Sequence, residues 1–148
     1  MNLSPHARLS TATLLLVCSL FATGCARDNA DPLAQPDGEW LFVNYWAEWC
    51  KPCTEEIPEL NAFHREQAGK ARVVMVNFDG VSGTALQEQA KTLGIETTLF
   101  EGDAATRLGF EKPQVLPSTY VIGPDGKLRQ TLLGPQTAAT LGAAMGGS

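Results

Sequence analysis

Apolar residues fall into short runs separated by Gly-, Pro- and Asp-rich stretches, and the spacing within each run names an element. Glu39-Trp40-Leu41-Phe42-Val43-Asn44-Tyr45-Trp46 is nearly continuous apolar and aromatic sequence, the pattern of a strand buried on both faces. Val73-Val74-Met75-Val76-Asn77-Phe78 is a second, β-branched run of the same kind. Between them, residues 51 to about 68 read as a helix. Pro52 falls in its first turn, where the missing N–H costs little, and Pro58 falls inside it, where a kink is expected. Leu86, Ala90 and Leu93 recur at helical spacing and predict a helix from Ser82 to Leu93, stopped by Gly94. Thr97 to Phe100 reads as a short strand and Asp103 to Leu108 as a short helix before Gly109. Ser118-Thr119-Tyr120-Val121-Ile122 predicts a strand. Gly123-Pro124-Asp125-Gly126 is a turn, and Lys127 to Leu133 returns antiparallel. The Ala/Leu/Thr-rich stretch from Gln136 to Met145 predicts a closing helix. No internal repeat is present. This order predicts an α/β fold with a central mixed β-sheet flanked by helices on both faces. A site in such a fold lies at the carboxyl end of the first strand.

The chain has 148 residues, 44% of them hydrophobic and 18% charged, which suits one globular domain. Its 11 basic residues are outnumbered by 16 acidic ones and form no cluster, which excludes nucleic acid as an expected partner. Residues 1–24 read as a signal peptide: His6 and Arg8 precede the apolar run Thr13 to Phe21, which is too short to span a bilayer. Ala22-Thr23-Gly24-Cys25 resembles the bacterial lipoprotein box, with Ala22 where Leu is commonest. On that reading Cys25 is lipidated and membrane attachment comes through the anchor alone. Ordinary cleavage after the same small residues is the alternative. Residues 25–37 hold three Asp and two Pro and read as a flexible tether. The domain is then expected over 38–148, as a monomer.

Once Cys18 leaves with the signal peptide and Cys25 is set aside, Cys50 and Cys53 remain as a pair two residues apart. An apolar strand precedes them and helix-forming sequence follows. Cys50 therefore falls at a helix N-terminus, where unpaired N–H groups and the helix dipole favour a thiolate, the reactive form in disulfide exchange. A purely structural disulfide closing so small a ring would contribute little stability. Two thiolates are too few for structural zinc, and His64, in a polar stretch, reads as a solvated surface residue. No metal and no cofactor is expected.

Three segments together resemble the thioredoxin superfamily, in its TlpA/ResA-like branch of extracytoplasmic thiol–disulfide oxidoreductases. They are Val43-Asn44-Tyr45-Trp46-Ala47-Glu48-Trp49-Cys50-Lys51-Pro52-Cys53, then Glu56-Ile57-Pro58, then Val115-Leu116-Pro117-Ser118-Thr119-Tyr120 before the Gly-Pro-Asp-Gly turn. The resemblance covers roughly residues 38–145. It implies a thioredoxin-like fold in which Cys50, the exposed thiol, attacks and Cys53, the more buried one, resolves. It implies a cis bond before Pro117, facing the cysteines, and client contacts from Trp49, Lys51, Pro52 and Leu116. Lys51 would favour the thiolate by its charge, Pro52 would restrict the loop and Trp46 would pack beneath the site. Cytoplasmic thioredoxins carry a buried Asp at the position of Asn44. Asn cannot take a proton from the resolving cysteine, so the resemblance passes that role to Glu56, whose pKa burial should raise. The implied activity is reduction of protein disulfides, with apocytochrome c among the candidate clients and a membrane electron donor of the DsbD/CcdA type. Oxidation of client thiols, or non-catalytic handling of copper or thiols, are the alternatives.

Overall fold

The computed structural model describes residues 31–35 and 38–146. The signal peptide and Cys25 lie outside the described residues. Five strands and four helices occur in the order expected: β1 (Trp40–Trp46), α1 (Lys51–Glu66), β2 (Ala71–Asn77), α2 (Gly83–Leu93), β3 (Thr98–Phe100), α3 (Ala104–Leu108), β4 (Ser118–Ile122), β5 (Leu128–Leu133) and α4 (Ala138–Ala144). The strands form one sheet in the order β3-β2-β1-β4-β5. β1 and β2 run parallel, joined across α1, and β4 returns antiparallel to β1. The sheet is therefore mixed, with the most apolar strand at its centre.

Helix ends follow local chemistry. Ser82 and Asp103 sit just outside α2 and α3 as N-caps, and Asp103 accepts the Ala105 and Thr106 N–H groups. Gly94 and Gly109 end those helices with positive φ angles of 71° and 80°, a region that penalises other residues. α1 is continuous through Pro58.

Alternation along β1 divides the interior into two layers. Phe42 and Trp46 face a core built with Cys53, Ile57, Leu60 and Phe63 of α1, Leu86 of α2 and Leu141 of α4. Leu41, Val43 and Tyr45 face a second core closed by Ala104 and Ala105 of α3. Tyr45 ties the second layer together, donating its hydroxyl to Asp103 Oδ1 and accepting the Ala105 N–H. Leu33 is buried in this second core, and the Gln35 side-chain amide donates to the Glu39 and Gly123 carbonyls. Residues 31–35 are thus packed against the domain, where a flexible tether was expected. Leu33, one of the few apolar residues of that segment, removes its side chain from water there.

Candidate active site: a disulfide over a buried carboxyl

Cys50 ends the loop after β1 and is the N-cap of α1; Cys53 lies in the first turn and the two are disulfide-bonded. The Cys53 backbone N–H donates to Cys50 Sγ at 3.3 Å, so a sulfur anion at residue 50 would meet a helix N-terminal donor directly. Pro52 occupies the first turn without loss of a helix hydrogen bond.

Cys50 is not the exposed group the sequence suggested. It is 5% exposed against 0% for Cys53, because both belong to the core layer that contains Trp46 and Ala47. The order of exposure is retained, the degree is not. Lys51 also departs from expectation. Its side chain is 85% exposed and its ammonium lies 3.5 Å from Glu55 Oε1, so water and a carboxylate both weaken its field at the sulfur. Trp46 is fully buried beneath the pair. Trp49 is 68% exposed and held by its indole N–H donating to Asp79 Oδ2 at 2.8 Å. Asp79 had no sequence signal.

The Leu116–Pro117 bond is cis. Tyr45 pairs with Ser118 in the antiparallel register, which brings Pro117 opposite Trp46, and Leu116 packs against the layer that holds both cysteines. Val115, 52% exposed, opens a groove of about 390 Å³ that runs past Tyr120 to Leu128 and Leu133 of β5.

Glu56 is 2% exposed, one turn beyond Cys53 on α1. Its Oε1 accepts from Asn44 Nδ2 at 2.8 Å and its Oε2 from the Gln136 N–H at 2.8 Å. Burial pushes the carboxyl above its ordinary range; the Gln136 N–H and the Asn44 amide act against that by favouring the charged form. Asn44 Nδ2 also donates to Thr119 Oγ1 at 3.0 Å. Thr119 and Gln136 escaped the sequence reading because they reach Glu56 and Asn44 only through the fold.

His64, expected as a solvated residue, is half-buried and accepts the Val73 N–H on Nδ1 at 3.1 Å. Burial, with Arg72 and Arg65 nearby, lowers its pKa. No group of three or more His, Cys, Asp or Glu side chains among the described residues is arranged to hold a metal ion.

A disulfide at a helix N-terminus, with a buried carboxyl one turn further along the same helix, is an arrangement suited to thiol exchange. A family model for AhpC/TSA proteins matches residues 21–131. The chain belongs to the AhpC/TSA family. Within it, the chain is 27% identical to the thiol-disulfide oxidoreductase ResA of Bacillus subtilis over 74% of its own length and 61% of that protein's. It is also 27% identical to the thioredoxin-like protein YneN of the same organism, over 71% of this chain and 62% of YneN. The chain thus spans about three fifths of the curated relatives it matches. Among solved structures, a DsbF homologue from Corynebacterium diphtheriae superposes with a TM-score of 0.61 at 27% identity, covering 72% of this chain and 69% of that one. StoA from Bacillus subtilis, at 19% identity, shares the fold with a TM-score of 0.61 over 72% of this chain and 82% of its own. The thioredoxin-like fold and the ResA-like kinship expected from the three segments are both borne out.

Proposed function

We propose that this protein is an extracytoplasmic thiol–disulfide oxidoreductase that reduces disulfides in client proteins. The observation that carries the reading is the Cys50–Cys53 disulfide at the start of α1, with Glu56 buried one turn beyond it. In the reduced protein the Cys50 thiolate attacks a client disulfide, forming one new S–S bond and releasing one client thiolate. Cys53 passes its proton to Glu56 and attacks Cys50 Sγ. The client leaves as a dithiol and the pair is left oxidised. Trp49, Lys51 and Pro52, adjacent to the pair in sequence, and Leu116, packed on the same layer, supply client contacts, and Pro117 faces the sulfurs on this reading. A membrane donor of the DsbD/CcdA type returns two electrons, and apocytochrome c is a candidate client. Cys25 carries the lipid that holds the monomer at a bacterial membrane; the small residues before it support this. No helix among the described residues is long and apolar enough to cross a membrane.

The test is Cys53→Ser in the exporting cell. Exchange predicts that Cys50 accumulates in mixed disulfides with clients, released by dithiothreitol. A Cys53→Ser protein that traps nothing overturns the proposal and favours a thiol- or copper-holding module. Direction is read from the reduction potential of the pair. A value at or below about −250 mV is expected for a reductase, and one near −120 mV would assign the oxidase direction instead.

A further inference from the structure

We propose that Asn44 is a positioning residue for the proton that Glu56 carries: its amide donates to the carboxylate while that group is charged, and turns over to accept from the carboxyl once it is protonated. The inference rests on the proton-handling role proposed for Glu56.

Asn44 is fully buried on the face of β1 that lies beneath α1. One atom, Nδ2, makes both of its side-chain bonds, to Glu56 Oε1 and Thr119 Oγ1. Its Oδ1 is equally buried and meets no donor among the described residues. A half-turn about the Cβ–Cγ bond exchanges the two ends of a primary amide with little change of shape. After that turn Oδ1 faces both partners. It can accept a proton-bearing Glu56 oxygen, and it can accept the Thr119 hydroxyl, which rotates to suit. Each orientation leaves one amide end unpaired, so the state of Glu56 decides between them.

The second oxygen of Glu56 fixes where the proton goes. Oε2 faces the Gln136 backbone N–H, which can donate and cannot accept. A proton on Oε2 would turn that oxygen into a poorer acceptor and weaken that bond, whereas one on Oε1 finds an acceptor in the turned Asn44 amide; Oε1 is therefore the favoured site. The remaining surroundings are silent on this choice. On α1 the titratable neighbours are Cys53 one turn before and Glu59 one turn after, and Glu59 Oε2 is occupied by the Ala138 N–H. β1 offers Asn44, β4 offers Thr119, and α4 carries no charged residue.

In the exchange step, the proton leaves Cys53 Sγ for Glu56 Oε1 and the Asn44 amide turns. The Cys53 thiolate then attacks Cys50 Sγ. The bond between Cys50 and the client breaks, and the client sulfur departs as a thiolate that takes a proton from water. The client gains two electrons and the pair loses two.

The experiment is the pH dependence of the reduction potential of the Cys50–Cys53 pair, with the side-chain amide ¹⁵N resonances of Asn44 followed over the same range in the wild-type protein. A break in the potential curve that is lost in Glu56→Gln identifies Glu56 as the redox-linked group. Asn44→Ala removes a charge-assisted bond to the carboxylate and a weaker, neutral one to the carboxyl, so that break should move up by their difference, about one pH unit. Thr119→Val removes Asn44's other partner in both orientations but leaves the Asn44–Glu56 bond, and should move the break by no more than about a third of a unit. The wild-type Asn44 amide resonances should titrate with the midpoint of the break, and this readout does not depend on any variant folding. A break that persists in Glu56→Gln overturns the role given to Glu56. A break lost in Glu56→Gln but unmoved in Asn44→Ala, or Asn44 resonances that ignore the midpoint, overturns the role given to Asn44 and leaves Glu56 standing.

Discussion

His64 closes a gap that the sheet leaves open. Trp40 donates to Lys70 and Phe78 donates to Trp46, so the even-numbered residues of β2 bond to β1 and the odd-numbered ones face the other way. β3 begins pairing only at Thr98, opposite Val74. The Val73 N–H thus has no strand beside it, and His64 Nδ1 accepts it. That bond needs an unprotonated nitrogen, and the lowered pKa agrees. The unfolded chain takes up a proton near pH 6.5, and the folded one resists until lower pH. Stability from this residue is therefore complete above about pH 6.5 and declines as the pH falls below it. Urea midpoints measured from pH 7.5 to 5 should fall less in His64→Gln than in the wild type, since Gln keeps an acceptor and cannot titrate. Identical slopes would show that His64 is uncoupled from folding. The sequence misled here because Arg65, Glu66 and Gln67 follow His64, and its partner is a backbone group that composition does not mark. The Cys50–Cys53 pair was legible because its spacing is local information; Asn44 and Glu56 were singled out only through the resemblance, and the structure brings their side chains together. Asp79, Thr119 and Gln136 were not legible, because each reaches the site from a different element.

At the scale of elements, α1 and α4 are fastened to each other by carboxylates. Glu56 and Glu59, three residues apart on one face of α1, accept the N–H groups of Gln136 and Ala138 at the start of α4. Thr137 between them is the α4 N-cap, with a reciprocal bond from Thr140. Thr137→Ala should cost about 1 kcal/mol, measurable as a lowered urea midpoint. A loss well below half of that would mean the carboxylates alone hold the helix start. Helix existence was readable from periodicity, and the ends came out tighter than expected: α4 runs Ala138–Ala144 where Gln136 to Met145 was anticipated. The difference is chemical. Thr137 takes extended backbone angles as the N-cap, so Gln136 before it stands outside the helix and its N–H is met by Glu56 instead.

For the whole molecule, the boundary of the domain lies earlier than composition suggests. Leu33 is 5% exposed in the second core, and the Arg107 guanidinium on α3 pairs with Asp31. Leu33→Ala should destabilise the protein by about 2 kcal/mol, near the low end for a buried leucine because the site lies at the edge of the chain. A change below about 0.5 kcal/mol in denaturant unfolding would return the segment to the tether. The packing of Leu33 also sets a leash. With the chain packed from Asp31 onward, six residue steps separate it from Cys25, and six steps can span at most about 20 Å. On the proposed lipidation of Cys25, a domain moored that closely would not range through the surrounding compartment: clients would meet it at the bilayer surface, and a donor would have to present its thiols within one protein diameter of the headgroups.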